Sequence, residues 1–314
     1  MSIEHIASKK YIRATPSGVA YADTSVLVTK EWSVNVYQGD KEDIQLGFDP
    51  QDQKQKTSNE HNVFDITFDV AGSGTPGTPI PGLSAFLQAA GGKETINAGQ
   101  DVTYTKEPDQ ASIGAVDIEG RAKGVKTDID YRYKTTNAKG SVGVSFSEKG
   151  YVEWKANKFT GDYSRPDEVA TATLDYGTQK DNLALPANGE TILVYQVGGR
   201  SLCVSAMDIP ALWYGDAVRR SLPGGCVSTT LKDGILDGSF TMLEDDWTQF
   251  NIYEKLDTGA VIPFNVVMGT VPGLQCTISN PRIQILDAQP ATIDDLSATQ
   301  VSFRMLDPNV VKFH

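Results

Sequence analysis

Residues Val63-Phe64-Asp65-Ile66-Thr67-Phe68-Asp69-Val70 alternate apolar and polar without a break. A period of two puts Phe64, Ile66 and Phe68 on one face of a strand and Asp65, Thr67 and Asp69 on the other, a pattern no helix can bury. The alternation recurs at residues 32–37, 141–146 and 151–154. The last two are separated by Ser147-Glu148-Lys149-Gly150 and read as a hairpin. Further strands are expected near 191–197, 201–207, 235–243, 261–268, 275–279, 282–286 and 299–306.

Helical patterning is confined to two stretches. In residues 81–90, Leu83, Phe86, Leu87 and Ala90 share one face, and Gly91-Gly92 provides a stop. Residues 245–256 begin with acids, which suit a helix N-terminus. Each stretch follows a strongly alternating strand and precedes further strands, at a spacing of about half the chain. The expectation is a mainly β protein of two tandem β-sandwich or barrel units, each with one short α-helix. The units are placed at 1–170 and 171–314, with the linker between Pro166 and Pro186. A length of 314 residues fits two domains of about 150 residues. Residues 38–62 are mostly polar and read as a long loop, which in a compact domain points to a functional segment. Gly72-Ser73-Gly74-Thr75-Pro76-Gly77-Thr78-Pro79 reads as a flexible link before the first helix.

Composition excludes several classes. With 39% hydrophobic and 22% charged residues, the chain can bury a core and is not disordered. Its apolar runs, such as 261–268, fall far short of the roughly 18 residues a membrane helix needs, so no membrane anchor is expected. The N-terminal residues show no apolar signal-peptide core. Cys203, Cys226 and Cys276 match neither zinc spacing nor a disulfide framework and read as reduced thiols. Net charge is −12, and both halves are acidic, which disfavours a protein that grips phosphates.

Catalytic and metal motifs are absent from the sequence. Of His5, His61 and His314, only His61 could serve a nucleophile, and it falls in the polar loop. Gly72–Gly77 and Gly91-Gly92-Lys93 lack the remainder of a phosphate-binding loop. Glu244-Asp245-Asp246 lacks the spacing of a calcium loop. Asp128 and Asp130 read as exposed strand residues, and Arg219-Arg220 as a loop pair able to touch a subunit or a phosphate. No cofactor is expected.

From Lys139 the chain runs through the 141–154 hairpin to Phe159-Thr160-Gly161-Asp162-Tyr163-Ser164-Arg165-Pro166. This stretch, with its Phe-Thr-Gly-x-Tyr-x-x-Pro ending, resembles the tail tube proteins of long-tailed bacteriophages. In that family such a stretch closes the first of two tube-fold units. The second opens with a strand like 194–204 and ends with one like 301–306. The resemblance implies a non-enzymatic virion protein, made in the host bacterial cytoplasm. It would form trimeric rings of pseudo-six-fold symmetry, stacked head to tail. Tape measure, terminator and baseplate proteins would be its neighbours, and double-stranded DNA would pass through the lumen without specific binding. The loop would then make inter-ring contacts through Asp40, Lys41, Phe48, Lys54 and Lys56. The alternative is a carbohydrate-binding or adhesin module of a phage baseplate, with Trp32, Tyr37, Trp213 and Tyr214 as a stacking platform. A hydrolase would need convergent acids such as Asp65, Asp69 and Glu153.

Overall fold

The alternating segments do form strands. The computed structural model describes residues 10–45, 53–69, 72–123, 128–147, 152–176, 192–222, 226–244 and 250–314. Elements in the first half are β1 (Lys10–Pro16), β2 (Val26–Leu27), β3 (Thr29–Gln45), β4 (Gln53–Asp69), α1 (Pro81–Ala89), β5 (Gly92–Asn97), β6 (Asp101–Lys106), β7 (Val116–Lys123), β8 (Ile129–Ser147), β9 (Glu153–Asp162) and β10 (Asp167–Ala170). The second half holds β11 (Ile192–Val197), β12 (Arg200–Ser201), β13 (Val204–Ile209), β14 (Ala217–Leu222), β15 (Cys226–Leu231), β16 (Leu236–Leu243), α2 (Ile252–Asp257), β17 (Val261–Met268), β18 (Cys276–Ile293), β19 (Leu296–Met305) and β20 (Val310–Phe313).

The central feature is one long antiparallel sheet. In the first half β3, β4, β9 and β8 lie side by side in that order. In the second half the order β13, β16, β19, β18 repeats the plan. The two sets are joined edge to edge where β8 pairs with β13. No closed barrel is formed among the described residues. The strands also do not segregate at residue 170, because β13 pairs with β8 and β20 pairs with β6. β1, β2, β7 and β10 build a second layer against the early part of β8.

Each half buries its own aromatic group. Beneath the first sheet, Phe86 of α1 lies 5.9 Å from Phe68 and 5.0 Å from Phe159. In the second, Tyr195, Phe240, Phe264 and Phe303 pack within 5.4–5.8 Å of their neighbours. Phe146 touches Tyr195, and Trp154 stacks on Phe313, so the groups join into one core. Pro81 starts α1 where its missing N–H costs nothing. Gly91 ends it at φ +93°, and a Cβ there would lie 2.3 Å from the Tyr214 ring.

Several expectations are corrected. Most of the polar stretch 38–62 is not a loop: β3 and β4 run on as a ladder to Gln45↔Gln53. At the base of this arm Asp40, Lys41 and Ser58 are exposed. It leaves the sheet through bulges near Tyr37 and Asn59, both at positive φ, which re-aim a strand pair. The second helix begins at Ile252, capped by the Asn251 side chain, which accepts from the Tyr253 and Glu254 amides; residues 245–249 lie outside the described residues. Segments 275–279 and 282–286 are parts of the single strand β18.

Asp130 is buried, not exposed. Tyr11 donates to it at 3.0 Å and Thr171 at 3.2 Å. It belongs to a covered charged network on β1, β7, β8 and β10. There Arg13 and Arg121 each donate to Glu119 Oε1 at 2.6 Å, and at its exposed margin Arg132 pairs with Asp167. Burial pushes the Glu119 carboxyl up, but bonds from Arg121 and Arg13 outweigh it and hold it below its ordinary value.

Glu119→Gln removes the carboxylate shared by Arg13 and Arg121, leaving Arg121 with Asp130 at 3.8 Å and the Ala170 carbonyl, and should cost about 3 kcal/mol at pH 7. A depressed acid stabilises the fold above its unfolded value, about 4.3, and stops doing so as pH falls through the folded value. The gap in urea midpoint between wild type and variant should therefore shrink on acidification below about pH 4.

Candidate functional site

Alternation gives the long sheet one apolar and one polar face. Trp32, Ile66, Trp154, Val144, Met207, Phe240, Val301 and Ile285 face the core. The other face carries a continuous row across seven strands. Asp69 is opposite Glu153, Glu153 opposite Ser145, Ser145 opposite Asp208, Asp208 opposite Ser239, Ser239 opposite Ser302, and Ser302 opposite Asp287. Four of these side chains are acids, and none is a base. The neighbouring row reads Ser147, Ala206, Thr241, Gln300 and Gln289. These two rows are thus hydroxyl, amide and carboxylate apart from Ala206, with no large apolar group, while Lys155 beside Glu153 and Arg304 paired with Asp237 bring positive charge to the same face.

Two carboxylates directly opposite repel each other. Lys30 relieves the Asp69–Glu153 pair, with Nζ 2.6 Å from Glu153 and 3.6 Å from Asp69. Burial lowers the Lys30 ammonium, but the bond from Glu153 and the charges of both acids leave it raised. Burial raises Asp69, and Lys30 only partly offsets this.

The seam between the halves is locked from below. Leu212 N–H donates to the Val142 carbonyl at 2.9 Å, and Asn309 donates to the Leu212 carbonyl at 2.9 Å. Trp213 Nε1–H reaches the Asn309 carbonyl at 2.7 Å, and the Tyr214 hydroxyl the Glu107 carbonyl at 2.7 Å. Gly143 lies against the same stretch; a Cβ there would meet the Ile209 and Pro210 carbonyl oxygens at 2.5 Å.

Arg219-Arg220 is in a strand, not a loop, because β14 pairs with β15. Arg219 is largely covered and contacts Asp162 at 2.8 Å, while Arg220 is exposed. With Lys158 reaching Asp216 at 2.6 Å, the β14–β15 ribbon is pinned to the first half. It and the β3–β4 arm are inserted at matching places, between the first two strands of each four-strand set.

Asp40 and Lys41 are exposed on the arm, opposite Ser58 and Thr57. Lys54 and Lys56 lie opposite Ile44 and Glu42 in the ladder, and only their backbone is described. Phe48 lies outside the described residues. The proposed aromatic platform is not assembled: Trp32, Trp213 and Tyr214 are buried, and only Tyr37 is exposed, beside Tyr163 at 5.1 Å. Asp65 accepts from the Lys158 amide and stands apart from the Lys30-bridged acids. His61 Nδ1 contacts the Asn59 carbonyl at 2.7 Å. Among the described residues no cluster of three metal-ligating side chains occurs, and Cys203 and Cys276 are free thiols.

No protein-family model matches the chain, and no curated protein matches its sequence.

Lys30→Met should destabilise the fold by about 0.5–1 kcal/mol at pH 7. The loss should diminish as pH falls and Asp69 takes up a proton. Urea midpoints at pH 7 and pH 4 check this.

Proposed function

We propose that this chain is the structural subunit of a bacteriophage tail tube. It would self-assemble into stacked rings that form the channel for genome ejection. The observation that carries the reading is the internal one: two four-strand sets of the same order, already fused edge to edge into one sheet with a single polar face. A subunit that contains one such joint is suited to make more of them. Three copies would supply six sets, a trimeric ring with six-fold pseudo-symmetry. The tandem tube-fold units of the family, and the Phe159–Pro166 wording that resembles it, support the same reading.

Under this reading the polar face lines the lumen. The acid row would repel DNA phosphates at close range, within a screening length of about 8–10 Å, so that the genome slides without adhering. The core side faces α1 and the outer layer. The arm, with Asp40, Lys41, Phe48, Lys54 and Lys56, reaches toward the next ring, where a partner surface would complete its bare flanks. Arg220, exposed on β14, would contact a neighbouring subunit. The role is architectural: it assigns catalysis to no residue and calls for no cofactor. The protein would work in the virion tail with tape measure, terminator and baseplate proteins, after assembly in the host bacterial cytoplasm.

Negative-stain electron microscopy of concentrated protein should show rings or hollow tubes with three copies per ring; particles that remain single at every concentration would count against the reading. In virions, Asp208→Asn with Asp287→Asn should slow genome release, and unchanged release kinetics would remove the role given to the acids.

A further inference from the structure

Left-handed backbone is concentrated along one line of the first sheet. Tyr37 on β3, Asn59 on β4, Asn137 on β8 and Lys158 on β9 have φ between +50° and +62°. Strand residues other than glycine rarely adopt that conformation, because it crowds Cβ against the backbone. Among the described residues the second four-strand set shows it only at Asp294 and Asp295, in the turn between β18 and β19.

The ladders place these residues in step. Between the pairs Asn35↔Val63 and Gln38↔His61, β3 uses one residue more than β4, so Tyr37 lies in a bulge facing Asn62. Asn62 pairs with Gly161 of β9. Between Thr136↔Asp162 and Lys139↔Thr160, β8 uses one residue more than β9, so Asn137 lies in a bulge facing Gly161. A single line, Tyr37–Asn62–Gly161–Asn137, thus crosses all four strands. Each bulge is answered in the partner strand, where the stretch holding Asn59 restores the register of β3 and the stretch holding Lys158 that of β8.

Side chains accept from the amides at three of the bends. The Tyr37 N–H donates to Asn62 Oδ1 at 3.2 Å, the Asn137 N–H to Asp117 Oδ1 at 3.0 Å, and the Lys158 N–H to Asp65 Oδ1 at 2.9 Å. Asn62 stands where the alternation of Phe68, Ile66 and Phe64 calls for another apolar residue, and it is buried. Its Nδ2 donates to the Lys134 and Ser164 carbonyls at 2.8 and 3.0 Å. One amide side chain therefore ties β3, β8 and the stretch after β9 together. The Phe-Thr-Gly-x-Tyr wording supplies the other parts. Phe159 meets Phe86 of α1 at 5.0 Å. A Cβ on Gly161 would lie 2.5 Å from the Thr135 hydroxyl and the Thr136 carbonyl oxygen. Asp162 accepts from Asn137 Nδ2 at 2.7 Å and pairs with Arg219 at 2.8 Å. The Tyr163 ring rests edge-on against Tyr37 at 5.1 Å.

We propose that this crease aims the arm: the line fixes the direction in which β3 beyond Tyr37, and β4 before Asn62, leave the sheet, and Asn62 is the positioning residue. A bulge re-aims a strand, and left-handed residues in series persist only where their surroundings over-determine them. A sheet that merely continued would need none of the four. The Asn59 side-chain amide donates to the Arg219 carbonyl at 3.4 Å, so the β14–β15 ribbon is braced on the same line and the arm is set relative to it. The device belongs to the single chain and does not rest on the tail-tube reading.

Two spin labels read the direction of the arm. One is at Lys41→Cys in the arm and one at Gln300→Cys on β19, both exposed positions. The full-length protein carries Cys203→Ser and Cys226→Ser, and is diluted into unlabelled protein so that only pairs within one chain are seen. Pulsed electron spin resonance should give one narrow distance in this background. Tyr37→Asn should keep it, because Asn tolerates left-handed backbone, whereas Tyr37→Val should lose the narrow peak, because a β-branched residue does not. Both variants lose the same contacts with Tyr163 and Glu60, so their difference reports the backbone alone. Asn62→Ala should lose the peak as well; if that variant does not fold, the exposed Tyr37 pair decides. Equal distributions for the two Tyr37 variants, an unshifted narrow distance in folded Asn62→Ala, or a broad distribution in the background would each overturn the proposal.

Discussion

Everything in this molecule depends on where backbone donors and acceptors at strand edges find partners. Among the described residues the sheet does not close into a barrel, and a bare strand edge is a template for pairing. The chain satisfies one pair of edges itself, at β8 and β13, and reinforces that joint with buried amides and an indole N–H. The aromatic groups of the two halves meet there through Phe146 and Tyr195. Core packing and edge pairing therefore reinforce each other at the seam, and the polar face above it runs unbroken from one half to the other.

Much of this was legible in the sequence where the signal is local. Alternation marked the second part of β4, and the apolar face of α1 with its glycine stop marked the first helix. The hairpin of β8 and β9 followed from two alternating runs around a polar turn. What could not be read is non-local or depends on a second layer. Nothing near Ser145 or Asp208 announces that they are opposite one another. The arm reads as a loop because its residues are polar and show no alternating apolar face. Asp130 looked exposed because alternation assumes water on the far side, whereas the 167–171 stretch covers it. Trp213 and Tyr214 looked available for stacking because a short aromatic pair carries no period. Trp213 and Tyr214 are instead plugs whose polar tips reach backbone carbonyls.

The acid row has a similar origin. Each acid reads separately as an ordinary solvent-facing strand residue. Their alignment arises only when seven strands are put into register. Lys30 moderates the one direct carboxylate pair, so the row can be acidic without straining the fold.

The last strand carries a consequence for how the protein comes into being. β20 supplies a partner to β6 near the beginning of the chain, with Phe313 opposite Val102. Contacts this distant in sequence form slowly. Until β20 has been synthesised, the β5–β6 ribbon lacks this neighbour and the Tyr104 ring lacks Phe313. A growing polypeptide therefore cannot present its finished sheet early.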